Sequence, residues 1–108
     1  MSLTPMVEIG KIIYAVVMVD LLHEYWSNDD GGEFGPVRER DDQLRQTLTP
    51  GARLIFSLRA ASWHQAMQMR NERLDYGDYR PAEGSADHFY SAEEAAEQEA
   101  YLRVRNCR

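Results

Sequence analysis

The chain has one cysteine, one lysine and no apolar run long enough to cross a bilayer, and each scarcity removes a class of protein. The single thiol, Cys107, stands next to the last residue, so an intrachain disulfide framework and a cysteine-based zinc site are both excluded. That usage fits a reducing compartment, and a cytoplasmic location is expected. The apolar run Ile12–Val19 resumes as Leu21-Leu22 after Asp20 and is far short of the ~20 residues a membrane span needs. No basic start leads into an apolar core with a small-residue cleavage site, so no signal peptide is expected.

Positive charge is also short. Twelve Lys and Arg stand against eighteen Asp and Glu, a formal charge of −6, and nucleic-acid binding would need a basic face to neutralise phosphates. The imbalance is concentrated in residues 1–50, with four basic and nine acidic groups, against eight and nine in residues 51–108. An acidic first half suits a solvated surface or a basic partner. With 44% hydrophobic and 28% charged residues over 108 positions, the composition is that of one globular domain with a modest core.

Motifs that carry chemistry are missing too. His23-Glu24 opens like a zincin motif, but position 27 is Ser, so the second ligand at i+4 is absent. His64 and His88 have no other histidine within four residues, and a metal site would need separate elements to converge. Ser27–Glu33 resembles a calcium loop only superficially, because Trp26 falls on the first ligand position when Gly31 is taken as the fixed glycine. Gly31–Gly35 is too short for a Walker loop and is surrounded by acids. No Gly-x-Ser-x-Gly elbow occurs. Neither a metal nor a cofactor is expected.

What is present is clearest in Ala52–Tyr76. Leu54, Phe56 and Leu58 alternate with Arg53, Ser57 and Arg59, the pattern of a half-buried strand. After Ala61 the apolar positions become Trp63, Ala66, Met67 and Leu74, at helical spacing. Ser62 is the expected N-cap of that helix, and Ser91-Ala92-Glu93-Glu94 matches a capping box for another, with Ala92, Ala95, Ala96 and Leu102 as its contact face. The β-branched run Ile12–Val19 reads as a buried strand. Leu21, Leu22, Tyr25 and Trp26 have the spacing of a short helical turn. Ser27–Gly35 reads as a break without regular structure, and Pro36 as the first position of a thin-striped helix ending before Thr49-Pro50-Gly51. Gly77–Asp87 is a second loop, anchored by Tyr76 and Tyr79.

The expected fold is α+β: a small single-layer sheet with strands near 11–19 and 52–60, packed with helices near 36–48, 62–76 and 91–105. The alternative is all-α, with residues 5–27 as one helix beginning at Thr4-Pro5. The function expected is that of a non-catalytic protein-interaction module. The alternative is a small dimeric ligand-binding protein or enzyme using His64 or His23 as acid/base, with Trp63, Tyr79 and Trp26 as binding residues. A homodimer is expected, because both faces of a 12–19 strand need cover and a two-stranded sheet is marginal alone.

Overall fold

In a computed structural model, residues 6–9, 12–15 and 19–105 are described. The protein is α+β. Its five strands are β1 (Met6–Ile9), β2 (Ile12–Ala15), β3 (Leu21–Asn28), β4 (Gly31–Pro36) and β5 (Arg53–Ala60). The helices are α1 (Glu39–Leu48), α2 (Trp63–Leu74) and α3 (Ala92–Arg105). All pairings are antiparallel, in two sheets: β1–β2, and β4–β3–β5. The expected single sheet is therefore two. Strand β2 pairs with β1, which the sequence reading missed, while β5 pairs with β3.

The central strand β3 replaces the expected helical turn at 21–26 and removes the all-α alternative. Leu21 and His23 are 2% and 0% exposed, so the inward positions recur every second residue, and a histidine occupies one of them. Reading His23 as polar hid that period. The expected break at Ser27–Gly35 is in fact a hairpin. Asp29 and Asp30 form its two-residue turn between the paired Asn28 and Gly31, and the Asn28 side-chain oxygen accepts the Asp30 amide at 2.8 Å. Gly31 takes a φ of +140°, and a Cβ on Gly32 would meet the Tyr25 hydroxyl at 2.2 Å. Both glycines are thus part of the strand's geometry. Pro36 ends β4 instead of opening a helix. That helix starts at Glu39, with Arg38 as an N-cap whose side chain makes no capping bond, and Glu39, Asp41 and Asp42 in its first turn favour its positive end.

Where β4 leaves the sheet, a side chain continues the ladder. The Gln98 amide accepts from Leu22 N at 2.8 Å and donates to Leu22 O at 2.9 Å and Val37 O at 3.2 Å. Three buried backbone groups are satisfied by one residue of α3. The contact face of α3 is built on Gln98 and Tyr101, with Ala95 and Leu102 half-buried beside them, while Ala92 and Ala96 of the expected face are exposed.

Helix α2 covers the other side of the sheet, where Leu58, Ala60 and Ala66 form the core with Phe34, Phe56 and Met69 around them. The alternation of β5 is interrupted by a bulge that pairs Tyr25 with Phe56 and Trp26 with Leu54, leaving Leu54 48% exposed. Both expected caps are present. Ser62 Oγ accepts from Gln65 N at 3.1 Å. Ser91 Oγ accepts from Glu94 N at 3.1 Å while the Glu94 carboxylate accepts from Ser91 N at 3.0 Å. Serine-to-alanine replacement at either site should lower stability by ~1 kcal/mol, more at Ser62 because it is buried. Urea unfolding that leaves both variants at the wild-type midpoint would contradict the capping role.

Candidate functional site

The site grows from the register of the β3–β4 hairpin. Tyr25 opposes Phe34 and Trp26 opposes Glu33, so Phe34 joins the α2 side of the sheet and Trp26 the side crossed by α1. Between α1 and β4 lies a cleft of about 440 Å³, lined among others by Trp26, Phe34, Pro36, Val37, Leu44, Leu48 and Trp63. Its α1 wall is mixed, with Asp41, Asp42 and Arg45 beside Leu44 and Leu48, and the two leucines are 50% and 72% exposed. The expected thin stripe of α1 thus faces the cleft, and Val37, just before the helix, is its buried member.

The polar side of the cleft is an interlocked set of charges. Arg105 of α3 holds the Glu24 carboxylate through two nitrogens at 3.0 and 2.7 Å and reaches both Asp42 oxygens at 2.9 and 3.2 Å. Tyr101 donates its hydroxyl to Asp42, and Arg45 donates to the other oxygen of the same carboxylate. The Arg45 guanidinium lies 3.7 Å from the centroid of the Trp26 ring, the geometry of a cation–π contact. It also bonds Glu33 at 3.3 Å, and the Trp26 indole donates to Glu24 at 3.0 Å. Burial pushes the Asp42 carboxyl up. Donation from Tyr101 and Arg45, with the charges of Arg105 and Arg45, outweighs that and holds it below its usual range. Donation to Glu24 first, against the effect of burial, raises Arg105 above its ordinary value. No buried side-chain nitrogen or oxygen among the described residues lacks a partner. These carboxylates are neutralised in place, which suits binding and leaves none free for acid/base work.

The candidate histidines lie elsewhere. His23 is fully buried. Its Nδ1 is 2.9 Å from Leu21 O and its Nε2 2.7 Å from the Tyr90 hydroxyl. A carbonyl only accepts, so Nδ1 carries the proton and Nε2 accepts from Tyr90. Burial lowers the imidazole pKa to about 4 and raises that of Tyr90 to about 12. Burial with both nitrogens satisfied explains the shift without a catalytic role.

His64 packs against Tyr79 with ring centroids 5.6 Å apart. Its backbone amide donates to Asp87 at 2.8 Å. Burial raises the Asp87 carboxyl, but this amide and the Ser62 hydroxyl pull it below its usual range. Asp87 is therefore a second cap on α2 that the sequence reading missed.

Of the expected binding residues, Trp63 and Trp26 meet on one cleft, and Tyr79 stands with His64 instead. Trp63 is half-buried, because α2 begins at the cleft mouth. It packs on Phe34 and His23, with centroids 6.0 and 6.4 Å away, and not on the Leu54–Leu58 row. Tyr76 is 63% exposed and does not anchor its loop. Glu24, Asp42, Arg45, Tyr101 and Arg105 were not legible as a group: they come from three separated elements, β3, α1 and α3. Among the described residues no group of three or more His, Cys, Asp or Glu could hold a metal ion, and no helix is long and apolar enough to cross a membrane. Cys107 lies outside the described residues.

No protein-family model matches the chain, and neither a curated protein nor a solved structure does. The class defined by the fold and site is that of a small α+β protein with an aromatic cleft beside an open sheet edge.

Proposed function

We propose that the chain is a non-catalytic protein-interaction module, one cytoplasmic domain, whose working surface is the cleft between α1 and β4. One observation carries the reading: the cleft brings Trp26 and Trp63 together with the exposed Leu44 and Leu48, while His23 and His64 face other partners. Exposed leucines beside aromatic residues, with charged residues around them, are the usual make-up of a partner site. The charge of −6 supports a protein over a nucleic acid as that partner.

Leu44→Glu with Leu48→Glu should leave the fold intact, since both side chains are exposed, and should reduce capture of a partner from native cell extract at least tenfold. Val104→Glu on α3, at a residue 55% exposed and outside the cleft lining, is the control and should capture normally. Equal capture by all three proteins would contradict the reading. The cleft volume also falls within the ~300–1,000 Å³ of small-molecule sites, and a thermal-shift screen tests that second reading.

The module is further proposed to be a homodimer. Among the described residues β1–β2 is a two-stranded sheet, marginal by itself in water, and its sequence is mostly apolar. The radius of gyration is 16.3 Å, against about 13 Å for a compact chain of this length. A second copy that covers this sheet would bury more than ~1,000 Å². Sedimentation should show a dimer at micromolar concentration, and a 12.5 kDa species at high micromolar concentration would contradict it.

A further inference from the structure

We infer that the partner segment docks as an added strand on the outer edge of β4, and that this segment alternates apolar with basic residues. The inference rests on the cleft being the interaction surface. Strand β4 is an edge: among the described residues it pairs only with β3. The phase of its hydrogen bonds follows from its end. Val37 N donates to Leu22 O at 2.9 Å, and Pro36, which has no N–H, stands opposite His23. In an antiparallel ladder bonded and non-bonded pairs alternate. Glu24–Gly35 and Trp26–Glu33 are then the bonded pairs, and Gly32 and Phe34 turn their N–H and C=O groups outward. An open edge of this kind is a template for a further strand.

The chemistry of the occupant follows from what flanks that edge. A strand presents successive side chains to opposite faces, so one set would meet Phe34 and Trp63 on the α2 side, whose ring centroids are 6.0 Å apart. The other set would lie on the α1 side, its stems along Leu44 and Leu48 and its heads among acids. Asp29 and Asp30 at the hairpin tip are exposed, and no ion pair holds them among the described residues. The Glu33 and Asp41 side chains are 54% and 46% exposed. A basic residue at every second position complements that rim, while Pro36, lacking an N–H, ends the ladder.

The probe is a blocked hexapeptide alternating arginine and leucine, with two companions: one N-methylated at alternate positions, and one with glutamate in place of arginine. Binding is followed by tryptophan fluorescence and by amide exchange at Gly32 and Phe34. The unmodified peptide should change the fluorescence and slow exchange of both amides at least tenfold. N-methylation and the glutamate exchange should each weaken binding at least tenfold.

Equal binding of the N-methylated peptide with unchanged exchange at Phe34 overturns strand addition and leaves the cleft reading standing. Equal binding of the glutamate peptide overturns the basic preference. No binding by any peptide overturns the inference, while the capture experiment with the Leu44 and Leu48 variants judges the cleft separately. Protection of Phe34 that grows with protein concentration before peptide is added assigns the edge to a second copy and also overturns the inference.

Discussion

Replacing Arg105 with alanine is expected to destabilise the protein by about 3–5 kcal/mol, a large share of what a domain of this size has. Among the described residues the guanidinium alone bridges Glu24 and Asp42 directly, and the two carboxylate side chains are 9% and 4% exposed. Without it, Glu24 keeps only the Trp26 indole, and Asp42 keeps Arg45 and Tyr101. Two poorly solvated charges then stand close together. Arg105→Lys should recover only part of the loss, because one ammonium cannot reproduce bonds made by the flat fork to two acids. The neighbouring Arg103 pairs with Glu99 at 2.9 Å, but both side chains are largely exposed, so Arg103→Ala should cost well under ~1 kcal/mol. Urea unfolding of the three variants checks the order. An Arg105→Ala midpoint equal to that of Arg103→Ala would show that the network contributes little.

The second large effect is acid destabilisation through His23. Its pKa is about 4 in the folded protein, against about 6.5 in an unfolded chain. Between those values the unfolded chain binds a proton that the folded protein does not, so stability falls as the pH falls. The contribution is present in full above pH ~6.5, is lost progressively down to about pH 4, and amounts to about 3 kcal/mol. Below that, Asp42, Asp87 and Glu94 extend the loss, because each is held under its ordinary range in the fold. For Glu94, burial acts upward, and the His88 side chain and Ser91 amide outweigh it. Stability measured between pH 7 and 4 should therefore slope downward in wild type and flatten in His23→Gln, whose own offset at neutral pH is a separate loss of packing. A wild-type curve level from pH 7 to 5 would contradict the buried, neutral imidazole.

What the sequence made legible and what it hid divide along physical lines. Strand β5, helix α2 and the two serine caps were readable because each depends on residues a few positions apart: alternation in Leu54–Ala60, helical spacing after Trp63, and hydroxyl-to-amide bonds three residues on. Strand β3 was misread because its inward row contains His23, whose burial depends on Tyr90, 67 residues away. Strand β4 was misread because its glycines looked like breakers. One of them is required by the Tyr25 ring lying across the neighbouring strand. Trp26 and Trp63 share a cleft that no local pattern announced, because it depends on where α1 crosses the hairpin. Arg105 stands in the last turn of α3, where any basic residue suits the helix dipole, and nothing local announced Glu24, 81 residues away, as its partner.

The central claim is that this protein works by binding at the Trp26–Trp63 cleft and not by histidine chemistry. The most direct measurement is a nitrogen–proton spectrum of the protein titrated with its captured partner, read at the two indole signals and at the imidazoles of His64 and His88. The account predicts that both indole signals shift as the partner is added while the two imidazoles hold still. Unmoved indoles with shifted imidazoles would place the working surface elsewhere and contradict it.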